Sequence, residues 1–157
     1  MALFSYAFPV DALIPALKYG HRLDLTQTLA TPLAQHAATT PRPDLLIAMP
    51  LHPLRLRERG FNQALELAKI IARQRDLPLL PQGAERIRAT TPQVELPWKE
   101  RSVNLRGAFS SSLDLTGKHV ALVDDVMTSG ASLHELALAL RRQGASEISA
   151  WVAARAC

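Results

Sequence analysis

A chain of 157 residues, 48% apolar and 20% charged, has the composition of one ordered globular domain, and it contains no repeat and no low-complexity tract. Its single cysteine, Cys157, excludes a disulfide framework or a cysteine-built metal centre within one chain, which makes a reducing cytoplasm the expected setting. The net charge of +4 suits an anionic ligand, though it suits a merely basic protein equally well.

In chain order, "MALFSYAFPVDALIP" is apolar but has no basic lead, and Pro9, Asp11 and Pro15 interrupt it, so it makes a poor signal peptide. No run of about 18 apolar residues occurs, and no membrane span is expected. Apolar spacing predicts helices over 10–19 and 24–37, joined by a turn containing Lys18, Gly20, His21 and Arg22. "DLLIAMP" (44–50) reads as a buried strand, and "LHPLRLRERGF" (51–61) as a basic loop. An amphipathic helix follows over 62–74, with Asn62 as its N-cap and Ala64, Leu67, Ala68 and Ile71 on one face. "LPLL" (77–80) is a weaker strand, and residues 83–109 are long, polar and irregular.

"HVALVDDV" (119–126) is a strand; the helix after it carries Leu133, Leu136, Ala137 and Leu140 on one face and stops at Gly144. "EISAWVAA" (147–154) is the last strand. This succession predicts an α/β fold with a mostly parallel central sheet flanked by helices. It is read as a single domain, 1–157, in which 1–40 form an N-terminal helical segment or hood and 41–157 the core. Ligands of such sheets sit outside the carboxyl ends of the strands.

At one such end stands "VDDVMTSGASL". Thr128, Ser129, Gly130, Ala131 and Ser132 form a small, hydroxyl-rich turn into a helix, where free backbone N–H groups and the helix dipole favour an anion such as phosphate. The lysine of a Walker loop is missing. Asp124 and Asp125 would repel a phosphate but would accept hydrogen bonds from sugar hydroxyls, or support Mg²⁺, one sugar-length away. Ser132 with Glu135 also makes a capping box, so part of the pattern has a purely structural reading.

"VALVDDVMTSGAS" resembles the signature by which type I phosphoribosyltransferases bind 5-phosphoribosyl 1-pyrophosphate (PRPP). "ALKYGHR", "PLHPLRLRERGFNQALELA", "RATTPQ" and "ERSVNLRGAF" resemble, in the same order, the ComF family of competence-protein-F, amidophosphoribosyltransferase-like proteins of bacteria. The resemblance implies the type I phosphoribosyltransferase fold. It casts Asp124 and Asp125 as catalytic acids facing the ribose hydroxyls, and residues 128–132 as the 5-phosphate loop. Arg55, Arg57 and Arg59 would reach the pyrophosphate or be a solvated basic loop. Residues 83–106, with Arg86, Arg88, Thr90, Gln93, Arg101 and Asn104, stand where related enzymes have a flexible loop closing over PRPP. Trp98 would stack on a base or anchor that loop, Phe61 would anchor in the core, and Lys18 and Arg22 would be surface charges or line the cleft.

Many members of the family begin with a four-cysteine zinc module. This sequence has no such cysteines, so no zinc is expected. The implied cofactor is Mg²⁺, brought with PRPP. Three functions remain open on the sequence: a pentosyl-transferring enzyme, a PRPP-sensing regulator, or a non-catalytic module of the DNA-uptake machinery that binds single-stranded DNA or uptake proteins. A homodimer is open as well.

Overall fold

The computed structural model describes residues 1–88 and 105–156. β1 (Ala2–Ser5) leads into α1 (Val10–Tyr19) and α2 (Leu25–Ala37). β2 (Leu45–Ala48) is buried at every position, as a strand covered on both faces must be. α3 (Pro53–Arg59) and α4 (Gln63–Arg75) follow, then β3 (Glu85–Arg86) and β4 (Phe109–Ser110). β5 (His119–Met127), α5 (Ala131–Arg142) and β6 (Glu147–Arg155) complete the order. No helix among the described residues is long and apolar enough to cross a membrane.

The main sheet has the order β1-β6-β5-β2 and is parallel throughout, with Ala48 opposite Val123 and Asp124 opposite Val152. β3 and β4 form a separate antiparallel ribbon that pairs Arg86 with Phe109. The predicted parallel sheet flanked by helices is therefore present. α2 and α4 pack on each other and against the sheet, α2 on β6 and α4 on β2 and β5. Fully buried Leu29, Leu33, Leu67, Ile71, Leu122 and Trp151 belong to the common core.

Two predicted elements differ, and one strand is additional. The expected strand at 77–80 reduces to a single parallel bridge, Leu79 to Leu46. The expected basic loop at 51–61 is mostly helix. His52 Nδ1 accepts from Leu54 N–H at 3.3 Å, Pro53 supplies a preset φ in the first turn, and Gly60, at φ +81°, ends α3. α3 buries none of its residues, so it carries no apolar period by which a sequence could disclose it. β1 was not predicted either, and it brings the first residues into the central sheet, where Tyr6 N–H donates to the Arg155 carbonyl at 2.8 Å.

The connections place the site. From β2 the chain crosses through α4 to Leu79 on one side; from β5 it crosses through α5 to β6 on the other. Right-handed crossovers in opposite directions put α4 and α5 on opposite faces and leave a crevice where they diverge, at the carboxyl ends of β2 and β5. Met49 N–H donating to the Val123 carbonyl at 2.8 Å holds those two ends together.

Candidate functional site

Successive side chains of a strand point to opposite faces, and this separates the two acids at the end of β5. Asp124, 8% exposed, borders a small cavity of about 40 Å³ together with residues 126–133. Asp125, 3% exposed, meets α1, where Lys18 Nζ lies 2.6 Å from its Oδ2. The Asp125 N–H donates to Asp124 Oδ1 at 2.9 Å. Burial pushes the Asp124 carboxyl well above the usual carboxylate range, the Asp125 charge adds to that, and Lys18 partly opposes it.

The turn after the acids leaves the start of α5 open. Gly130 is its N-cap at φ +76°, a conformation that a side-chain-bearing residue adopts only with strain, and it has no side chain with which to cap the helix. Ser129 Oγ accepts from Ala131 N–H at 3.4 Å, and the first full helical bond runs from His134 N–H to the Gly130 carbonyl at 2.9 Å. The predicted capping box is not formed, because Ser132 already lies inside the helix and Glu135 instead accepts from Gly107 N–H at 3.1 Å. The positive end of the α5 dipole therefore faces the cavity that Asp124 borders.

Arg55 and Arg59 line a second cavity, of about 170 Å³, together with Lys18, Tyr19, His21 and Glu58. Arg55 Nη1 is 3.3 Å from Glu58 Oε2, while Arg59 donates to Gln63 and lies over the Tyr19 ring at 5.3 Å. Lys18 thus belongs to the cleft, whereas Arg22 is an exposed partner of Asp24 at 2.7 Å. Arg57 is exposed and borders neither cavity. Arg88 is exposed too and donates to the Arg106 carbonyl at 3.0 Å. Thr90, Gln93, Trp98, Arg101 and Asn104 lie outside the described residues.

Asn62 caps α4, accepting from Ala64 N–H at 3.0 Å, and its Nδ2 donates to the Met49 carbonyl at 3.0 Å. Phe61 packs partly buried against the core, its ring centroid 6.0 Å from that of His21.

Arg86 was named in the sequence only as one arginine of a long polar segment. β3 and β4 fix it, with its guanidinium 5.7 Å from the Phe109 ring centroid. Its pKa is lowered first by burial and then by the Arg55 charge, with Asp124 acting the other way. Arg86 also walls an open cavity of about 790 Å³ beside the α3–α4 junction. No sequence signal marks a two-residue strand.

A model of the phosphoribosyl transferase domain matches residues 62–156. The fold agrees: over 83% of this chain, and 26% of its own, the structure of glutamine PRPP amidotransferase from B. subtilis superposes with a TM-score of 0.57 at 20% identity. Fold and matched domain together define a type I phosphoribosyltransferase fold. Competence protein F of Haemophilus influenzae is 36% identical over 96% of this chain and 70% of its own length. DNA utilization protein YhgH of Escherichia coli is 34% identical over 96% of this chain and 69% of its own length. The chain belongs to the competence protein F family of phosphoribosyltransferase-domain proteins.

Proposed function

We propose that the crevice at the ends of β2 and β5 binds PRPP with Mg²⁺, in a cytoplasmic protein serving the use of external DNA. The observation that carries this reading is the junction of a buried acid, Asp124, with a helix start at a positive-φ glycine, Gly130, around one cavity. The N–H groups of residues 129–132 and the α5 dipole would hold the 5-phosphate. Asp124 would accept from a ribose hydroxyl, a contact that compensates the burial of its charge. Arg55, on the wall of the cleft, would offer its guanidinium fork to the pyrophosphate oxygens.

Mg²⁺ fits the donor set, since carboxylates at one strand end are the hard oxygen ligands it takes and their burial disfavours bare charge. Asp124 and Asp125 would support it, and when bound it would neutralise charge on the leaving pyrophosphate. The chain's own part is to hold the ribosyl group, exclude water from its C1 and stabilise the departing oxygens while a base or amine attacks.

Calorimetric titration of the protein with PRPP, with and without Mg²⁺, tests this. Wild type is expected to bind in a Mg²⁺-dependent way, with Asp124→Asn at least about tenfold weaker, the loss of one charge-assisted hydrogen bond. A folded wild type that does not bind would end the proposal. A second reading, a single-strand-binding module, draws on Tyr19, which is 71% exposed beneath Arg59. Oligonucleotide affinity falling steeply with salt, and lowered in Tyr19→Ala, would favour it.

A further inference from the structure

Resting on that phosphoribosyl reading, we propose that Lys18 is a positioning residue for the acid pair. By tying Asp125 Oδ2 to α1 it fixes the orientation of the acids that meet the ligand. Two carboxylates side by side invite the assumption that both face a ribose diol. The strand geometry separates them: Asp124 borders the cavity of residues 126–133, and Asp125 turns to the α1 face.

Asp125 is the more deeply buried acid, and the Lys18 ammonium, its side chain 21% exposed, sits 2.6 Å from Oδ2. A buried carboxylate held this closely by a lysine on one oxygen is fixed in orientation, with its second oxygen still able to accept. The Asp125 N–H also donates to Asp124 Oδ1, so the placement of Asp125 sets the carboxylate beside it. Lys18 acts on the ligand through two links, Lys18 to Asp125 and Asp125 to Asp124.

The helix supplies the leverage. Lys18 stands in the last turn of α1, whose Leu17 is fully buried, so the ammonium is carried on a packed element. Its stem lines the cavity that Arg55 and Arg59 share, which joins the N-terminal helix to the end of β5. Outer partners of this kind orient a ligand-binding group and change affinity without touching the ligand.

The test is titration of the full chain with PRPP and Mg²⁺ for wild type, Lys18→Met, Lys18→Arg, Asp125→Asn and the Lys18→Met/Asp125→Asn double variant. Lys18→Met is expected to weaken binding by about 10- to 100-fold, and Lys18→Arg to recover most of that loss. The double variant is expected to bind no worse than Asp125→Asn alone, because the lysine acts through that acid. Losses that add in the double variant would mean that Lys18 meets the ligand itself. Unchanged affinity in a folded Lys18→Met would remove the positioning role while leaving the phosphoribosyl reading intact. A folded wild type that binds no PRPP overturns that reading instead, and this role with it. Lys18→Gln serves the same comparison if the methionine variant proves unstable.

Discussion

Asp124 carries a cost that only a ligand can justify. Burial, and then the neighbouring Asp125, disfavour its charge, so the folded chain keeps a proton that the unfolded chain releases. The folded pKa is the raised one. Its stabilising contribution is therefore whole below the ordinary carboxylate range and is lost as pH rises through the folded value. Asp124→Asn removes this penalty. At neutral pH the variant is expected to be more stable than wild type by on the order of 1 kcal/mol, with the difference shrinking as pH falls toward about 4. Urea unfolding at the two pH values reads both the sign and the trend. A variant that gains stability while losing PRPP affinity marks a group kept for function.

Among the elements, α4 packs on β2 and is also tied to the end of that strand by a side-chain hydrogen bond. Asn62 caps the helix and also reaches the Met49 carbonyl at the end of β2, so Asn62→Ala removes two kinds of bond. A loss of about 1–2 kcal/mol is expected in urea unfolding, with the loop over 50–61 becoming more open to proteolysis. α4 was legible because Ala64, Leu67, Ala68 and Ile71 are all buried on one face, and the capping asparagine stood where its chemistry required. The strands at 45–48 and 119–127 announced themselves as apolar runs. α3 gave no such sign, because a helix that buries nothing has no period to read. The site divides in the same way. The acids and the turn at 128–132 are contiguous and were visible together. The ion pair of Lys18 with Asp125, 107 positions away, and the influence of the Asp124 charge on Arg86 exist only once the chain is folded. Glu135 shows the converse: its spacing from Ser132 fits a local cap, yet tertiary structure gives it to Gly107.

For the whole molecule, the site lies where the connections from β2 and β5 diverge, so a ligand there touches loops from both halves of the sheet. Such a ligand stabilises the native state by mass action. PRPP with Mg²⁺ at 100 times its dissociation constant is expected to add about 2.7 kcal/mol, or roughly 5–10 °C in Tm for a chain of this size. Differential scanning calorimetry should find this shift in wild type and little of it in Asp124→Asn. A shift that survives in the variant would place the bound phosphate away from the acid.

The pairing of β1 with β6 has a consequence in time. Ala2 stands beside Val152 and Ser5 beside Arg155, so the edge of the sheet joins residues separated by about the whole length of the chain. β6 also separates β1 from β5 in the strand order, and β1 has no strand to lie against until β6 is in place. During synthesis the first strand must therefore wait, unpaired, until residue 155 has left the ribosome. The sheet that carries the site can be completed only once β6 has been made.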